Sequence, residues 1–517
     1  MCKRDLPRLR ILDWIALRKQ GVTIKLAPED EAVIERLLNF ERIERKKLPE
    51  NLNAELRPYQ REGYDWLAFL YEHRFGGCLA DDMGLGKTLQ AISLLAGLRE
   101  GVIGSRTPDE RRPHLIVVPP SLLFNWEHEI DKFAPNLKVC LYAGTNRQAD
   151  FSAWDIVLTT YGIVRRDIET MKDVAFDAII FDEAQTVKNI HAGMTAAARR
   201  LTASFKLALT GTPLENHIGE YYSIIDLSLP GLLGEYDEFR SRARSDSPDA
   251  LNTALARTRP FVLRRTKDKV LKDLPPKTET DVYLELTEDQ KALYTRTVED
   301  VRGTVNDAYR NRTQAQAGII ALAAILKLRQ ICVSPRLVAK DWKTASPKTG
   351  FLIDNLRELL DEGHSALVFS QFTSFLDVLE PDLRDAEIGY LRLDGSTPVV
   401  KRKTLVQKFQ SGDGPPVFLL SLKAGGKGLN LTRASYVFHL DPWWNPAVED
   451  QASDRAHRIG QTQSVTITRV LMRHTIEEKM MELKRKKLAL YKAVMEGAEG
   501  AGKGSSITKE DFEFLLE

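Results

Sequence analysis

Two short stretches carry the residue types that phosphate chemistry needs. "DDMGLGKT" (Asp81 to Thr88) comes close to the phosphate-binding pattern G-x-x-x-x-G-K-[ST], with Asp81 in place of the first glycine. Such a loop works by surrounding a phosphate with backbone N–H groups at a helix N-terminus. Gly84 and Gly86 allow close backbone approach, Lys87 reaches the β- and γ-phosphates, and Thr88 offers a hydroxyl to Mg²⁺. The first glycine only shapes the loop entry, so another residue with suitable backbone angles can replace it. The second stretch, "DAIIFDEAQ" (Asp177 to Gln185), ends an apolar run in a carboxylate pair. Asp182 is placed to hold Mg²⁺ through water, and Glu183 to orient and deprotonate an attacking water. An Asp-Glu pair alone is often a solvated acidic loop, and a Gly-rich turn can simply precede an ordinary helix. The two stretches together favour the nucleotide reading.

Such residues need a rigid frame. From about Arg57 the chain alternates apolar β-rich runs with helical patterns. "HLIVVPP", "KVCLYAG", "WDIVLTTYG", "FDAIIFDEA" and "FKLALTGTP" read as buried parallel strands. In "KTLQAISLLAGLRE", Leu89, Ile92, Leu95 and Leu98 fall on or near one helical face. The rhythm resumes from about Ser346 with "SALVFSQF", "GYLRLDGS", "PVFLLSLKAGG", "SYVFHLDP" and "SVTITRVLM". The expected fold is therefore α/β, with two parallel-sheet lobes and helical insertions. The lobes are expected over residues 55–265 and 346–490, with a helical insertion in the first from about 216. Residues 266–345 read as linker and helical protrusion, 1–54 as a polar, helix-prone extension, and 491–517 as a Gly/Ser linker with an acidic helix. The tail segment "GAEGAGKG" supplies the glycine missing at Asp81, but Gly504 replaces the magnesium hydroxyl and no strand precedes it, so it reads as linker.

Composition sets the remaining bounds. A chain of 517 residues is too long for one core. Lys plus Arg (74) nearly balance Asp plus Glu (72), so any basic surface must be local. Cys2, Cys78, Cys140 and Cys332 are scattered without a C-x-x-C pair, which excludes a cysteine zinc cluster and a disulfide framework. With no signal core and no long apolar run, the chain is expected to be cytoplasmic and nucleoid-associated (nuclear if eukaryotic), without membrane contact.

In order along the chain, these and further motifs resemble the ATPase core of superfamily-two, Swi/Snf-type DNA translocases. The resemblance runs from about Leu56 to Lys487. "LRPYQREGYDWL" resembles the adenine-reading motif, with Gln60 the implied partner of the base edge. "LADDMGLGKT" resembles motif I, implying nucleotide contacts along Asp82, Met83, Gly84, Leu85, Gly86, Lys87 and Thr88; an acidic or polar first position is usual in this family. "LIVVPPSLLFNWEHE" and "LTTYG" resemble motifs Ia and Ib, "DEAQ" motif II, and "LALTGTPLEN" motif III. "VFSQFTSFLD", "LRLDGST", "SLKAGGKGLNLT", "DPWWNP" and "QASDRAHRIGQ" resemble motifs IV to VI, and "FVLRRTKDKVL" supports the same branch. Gln185 stands where His is more usual in motif II, so hydrogen bonding to motif III is available but proton carriage is not.

The resemblance implies RecA-like lobes, ATP and Mg²⁺ as cofactors, and double-stranded DNA as partner, with a DNA-bound protein complex as cargo and a monomeric core. Arg455 and Arg458, three residues apart and expected on one helical face, match arginines that reach the γ-phosphate across a cleft. Implied DNA contacts are Thr160 and Tyr161 in the first lobe, and Gln371, Ser421, Lys423 and Trp444 in the second, with Gly428 bridging towards the nucleotide. Trp443 reads as core, and the basic run Lys484 to Lys487 equally as a solvated helix end. Compact insertions and a motif-free start resemble the ATPase portion of a longer bacterial or archaeal protein. The competing readings are a strand-separating helicase and a nucleotide-dependent clamp or switch acting on a protein partner.

Overall fold

The computed structural model describes residues 31, 43–104, 112–144, 147, 150–187, 192–211, 218–244, 257–271, 274–311, 314–339, 341–425, 429–443, 446–483 and 514–515. Along the chain, a first compact unit runs to Lys272 and a second begins at Asp273.

The first unit is built on seven parallel strands: β1 (Gly77–Leu79), β2 (His114–Val118), β3 (Val139–Leu141), β4 (Ile156–Thr160), β5 (Phe176–Phe181), β6 (Ala203–Leu209) and β7 (Val262–Leu263). Their order is β3-β4-β2-β5-β6-β1-β7. Every residue of β2, β4 and β5 is buried, as expected of strands covered on both faces. All five strand runs expected in this lobe are present. Beyond these five the sheet holds β1 and β7, whose three and two residues are too few for a period to show.

Helix α1 (Pro58–Glu72) opens with proline in its first turn, and α2 (Lys87–Glu100) ends on Gly101 in the left-handed conformation. The one-faced pattern expected for α2 is not what the fold uses. Gln90 through Gly97 are all buried, because α2 is wedged between α1 and α3 (Leu123–Phe133) as well as the sheet.

The second unit carries β8 (Lys277–Leu284), β9 (Ala366–Ser370), β10 (Tyr390–Leu393), β11 (Val417–Ser421), β12 (Tyr436–His439) and β13 (Val465–Met472), in the parallel order β10-β11-β9-β12-β13-β8. The five runs expected here are again present. The sixth strand, β8, lies within the stretch read from sequence as linker and protrusion. It pairs residue for residue with β13 along its whole length, from Lys277 opposite Val465 to Leu284 opposite Met472. Its first four residues, "KTET", are exposed, which suits a sheet edge and hides the strand from a search for apolar runs. Two long helices, Glu288–Asn311 and Gln314–Val333, pack against each other beyond it. Leu515 joins their apolar cluster.

One buried ion pair ties this unit together. Lys348 and Glu477 have fully buried side chains. Lys348 Nζ donates to both Glu477 oxygens at 2.8 and 2.7 Å, and to the carbonyls of Leu440 and Val470 at 2.7 and 2.8 Å. The helix Pro347–Asp361 is thereby pinned to the ends of β12 and β13. Removing one partner of such a pair leaves a bare buried charge. Lys348→Met should destabilise the second unit by about 3–5 kcal/mol, and the double change Lys348→Met with Glu477→Leu by clearly less. Urea unfolding followed by circular dichroism checks this, and equal losses in both variants would contradict it.

Candidate active site

Both sheets present the residues singled out from sequence at or beyond the carboxyl ends of their strands, where parallel α/β sheets bind ligands. In the first unit β1 ends at Leu79 and the chain loops to α2. Gly84 and Gly86 take φ of 82° and 75°, conformations that side chains resist. A Cβ at Gly86 would also stand 2.4 Å from Gln60 Nε2. Gly86 caps α2, so the first N–H groups of that helix face the loop. Lys87 is its first residue, and its ammonium donates to the carbonyl oxygens of Asp81 and, at 3.2 Å, Asp82. Burial lowers the Lys87 pKa, opposed by the carboxylates of Asp81, Glu183, Asp182 and Asp82.

Asp81, in the place of the missing glycine, has no solvent exposure. Its carboxylate accepts from Arg265 Nε at 2.9 Å, Arg265 Nη2 at 2.5 Å, the Arg265 backbone N–H at 3.0 Å and Gln90 Nε2 at 3.3 Å. Arg265 also donates to the Tyr59 carbonyl and to Gln90 Oε1, and lies 5.2 Å from the Tyr59 ring centroid. "FVLRRTKDKVL" had counted only towards the family resemblance; its second arginine is the counter-ion of the phosphate loop.

Gln60 takes a different part from the expected one. It is buried; its Oε1 accepts from the Arg57 backbone N–H at 3.0 Å, and its Nε2 donates to the Leu85 carbonyl at 3.1 Å. Both ends of the amide are thus engaged inside the protein, one capping α1 and one holding the phosphate loop. Tyr59 Oη donates to the same carbonyl at 3.0 Å.

The carboxylate pair follows β5. Asp182 Oδ2 accepts from the indole N–H of Trp126 at 2.7 Å, and its Oδ1 from the Glu183 backbone N–H at 2.8 Å. Burial first, then the charge of Glu183, raises the Asp182 pKa to about 7, against the lowering effect of these donors and Lys87. Glu183 sits at φ 47°, a left-handed backbone unusual for its type. Gln185 Nε2 donates to Glu183 Oε2, while its Oε1 accepts from Thr210 Oγ1 at 2.9 Å. The amide at the usual histidine position therefore links motif II to the start of motif III through one donor and one acceptor. Trp126, on α3, was legible only as part of motif Ia; nothing local announces its carboxylate partner.

Tyr161 is corrected by the structure. Its ring is buried against Phe181, and its hydroxyl donates to the Asp182 carbonyl at 2.8 Å, so the side chain turns inwards to the main chain of Asp182 instead of a surface. Thr160 is buried as well and caps the next helix, accepting from the Ile163 N–H at 3.3 Å.

In the second unit, Arg455 and Arg458 do not share a helical face. The helix Pro446–Ser453 ends before them, and they occupy successive turns that finish at Gly460 with φ 100°. Arg455 is buried, with its carbonyl accepting from the Leu431 N–H at 3.1 Å; Arg458 Nη1 donates to the Leu429 carbonyl at 3.3 Å. Ser421 is buried at the end of β11. Gln371 follows β9, its backbone N–H donating to the Asp441 carboxylate at 3.2 Å and its Nε2 enclosed without a hydrogen-bond partner. Asp441 has its pKa raised to about 6, chiefly by burial. The side chain of Lys423, with Gly428 and Trp444, lies outside the described residues; Lys423 itself is in the short helix Leu422–Gly425 after β11. Trp443 packs on the apolar cluster, as read.

The donors fit Mg²⁺, which takes hard oxygens and keeps most of its shell for water and phosphate: the Asp182 carboxylate stands beside Glu183 and Lys87, and Thr88 follows Lys87 in α2. Among the described residues no helix is long and apolar enough to cross a membrane.

The folded Asp182 carboxyl keeps its proton to about pH 7, whereas the unfolded one releases it near ~4. Between those values the folded state holds more protons, so this contribution is full at low pH and is lost as pH rises. In nucleotide-free protein without divalent cation, wild type should lose thermal stability relative to Asp182→Asn as pH climbs from about 5 to 7. A difference in melting temperature independent of pH would contradict this.

Comparison with known proteins agrees with the geometry. Residues 59–337 match the SNF2-related domain, and residues 351–460 the helicase conserved C-terminal domain. The chain is 37% identical over 453 residues to an uncharacterized ATP-dependent helicase of Mycoplasma genitalium, covering 87% of this chain and 43% of that protein. It is likewise 37% identical over 479 residues to the putative ATP-dependent helicase/translocase YwqA of Bacillus subtilis, covering 89% of this chain and 51% of the relative. The chain thus spans about half the length of these curated relatives. A solved SWI2/SNF2 ATPase core of Sulfolobus solfataricus in complex with dsDNA is 35% identical, covering 87% of this chain and 95% of that one, with a TM-score of 0.43. The chain belongs to the SNF2-related, Swi/Snf-type ATPase family.

Proposed function

We propose that the chain hydrolyses ATP to move along double-stranded DNA without separating its strands, displacing or remodelling proteins bound there. The observation that carries this is the bonded series Asp182, Glu183, Gln185 and Thr210 beside a glycine-shaped loop holding Lys87. The family assignment and the helicase/translocase name of the Bacillus relative support it.

In this reading the loop N–H groups from Asp82 to Thr88 and the Lys87 ammonium bind the phosphates. Thr88 and Asp182 would hold Mg²⁺, which when bound would supply positive charge against that developing on the phosphoryl oxygens. Glu183 orients the attacking water and takes its proton, and Gln185 fixes the Glu183 carboxylate by donating to Oε2. Arg455 and Arg458 are assigned as arginine fingers, a role worth roughly 10³ to 10⁵ in rate. Sequence-independent grip needs backbone N–H groups, hydroxyls and few cations. For the first unit that leaves the main chain at Thr160 and Tyr161, since both side chains are engaged within the fold. Gln371, Ser421, Lys423 and Trp444 are proposed for the second.

Duplex DNA should raise the ATPase rate, and the protein should displace a triplex-forming strand without unwinding the duplex. Efficient unwinding would favour a strand-separating helicase, and turnover indifferent to DNA a protein-directed switch. Lys87→Ala and Glu183→Gln should each reduce turnover by at least about 10², with Glu183→Gln still binding nucleotide. Survival of turnover in both would remove the site assignment.

A further inference from the structure

We propose that Asp81 and Arg265 form a strut that couples the phosphate loop to the chain leading into the second unit, with Arg265 a positioning residue that acts through Asp81. Three consecutive loop residues are tied, one after another, to the segment after β7. The Ala80 N–H donates to the Leu263 carbonyl at 2.7 Å, and the Asp82 N–H to the Arg265 carbonyl at 3.0 Å. Asp82 Oδ2 accepts from the Lys267 N–H at 3.1 Å. Between them the Asp81 carboxylate takes both the backbone and the guanidinium of Arg265. β7 pairs with β1, the strand that feeds the loop, so the same segment holds both that strand and the loop entry. From Arg265 the chain runs on to β8, an edge strand of the other sheet.

An ordinary phosphate loop has glycine at this entry position and no side chain to hold. Here the entry residue is a carboxylate without solvent exposure, met by a guanidinium whose side chain is 10% exposed. A planar fork on a carboxylate fixes direction as well as distance. Displacement of residues 263–267 therefore moves residues 80–82, and with them the Asp81 and Asp82 carbonyls that hold the Lys87 ammonium. The pair touches neither reacting atoms nor DNA in the proposed scheme. Its loss should spare nucleotide binding and weaken the communication between DNA and hydrolysis.

This inference rests on the DNA-stimulated ATPase reading above, and the experiment separates the two. Four proteins are compared: wild type, Arg265→Gln, Asp81→Gly with Arg265→Gln, and Arg265→Lys. Asp81→Gly restores the ordinary loop pattern, and the double change leaves no bare buried charge. Melting curves and the affinity for a fluorescent ATP analogue are measured first, then turnover with and without duplex DNA. The expected result is wild-type nucleotide affinity with a DNA stimulation reduced by about 5- to 150-fold, the usual span of coupling between sites. Arg265→Lys, keeping charge without the fork, should fall between. Unreduced stimulation in the double variant overturns the strut, as does loss of nucleotide affinity in step with stimulation, which would mark a purely structural pair. If neither glutamine variant folds, Arg265→Lys decides by the same ratio. Absence of stimulation in wild type would instead overturn the functional reading.

Discussion

A carboxylate cut off from water must be answered by hydrogen bonds and opposite charge, and at Asp81 that requirement organises the nucleotide half of the molecule. Its partner, Arg265, comes from the far end of the first unit, after all seven strands have been laid down. Gln90, which also donates to the carboxylate, belongs to α2 and accepts from Arg265. Loop, helix and exit segment thus share one polar centre. Tyr59 and Gln60 complete it from α1 by holding the Leu85 carbonyl.

The second unit repeats the principle with other residues. Asp441, after β12, is buried and accepts from the Ser370 hydroxyl at 2.5 Å and the Gln371 N–H. Arg329, buried on the helix Gln314–Val333, lies 3.9 Å from it and donates to the Pro442 carbonyl. A helix outside the sheet thereby sets the loops after β9 and β12, which carry two of the motifs read from sequence.

How far the sequence could be read follows from what each feature depends on. The ten strand runs were legible because buried parallel strands are continuous apolar segments, a property of neighbouring residues. β1 and β7, of three and two residues, are too short for a period to show, and β8 is a polar edge. The phosphate loop and carboxylate pair were legible because their chemistry needs fixed residue types at fixed spacing. Side-chain direction is another matter. Tyr161 and Gln60 sit in motifs read from the sequence, yet their polar atoms turn inwards, one to the Asp182 carbonyl and one to the Leu85 carbonyl. The helical spacing of Arg455 and Arg458 failed because the helix stops at Ser453, a boundary no glycine or proline marks in the sequence. Asp81 and Arg265, 184 positions apart, are a contact between segments, and no local pattern encodes one.

Stability alone is a poor explanation for these buried charges. Well-packed apolar residues in place of a buried ion pair are often neutral or stabilising. An apolar contact, however, tolerates sliding and rotation, whereas a guanidinium fork on a carboxylate does not. Buried carboxyl groups are found where direction matters: Asp81 at the entry to the phosphate loop, Asp441 bonded to the Gln371 N–H, and Asp182 fixed by Trp126. Each holds a loop to an element distant in sequence, and each such element can carry a displacement to a loop only because the bond between them is directional. The aspartate that spoils the phosphate-loop pattern is on this argument the residue that makes the loop answerable to the rest of its unit.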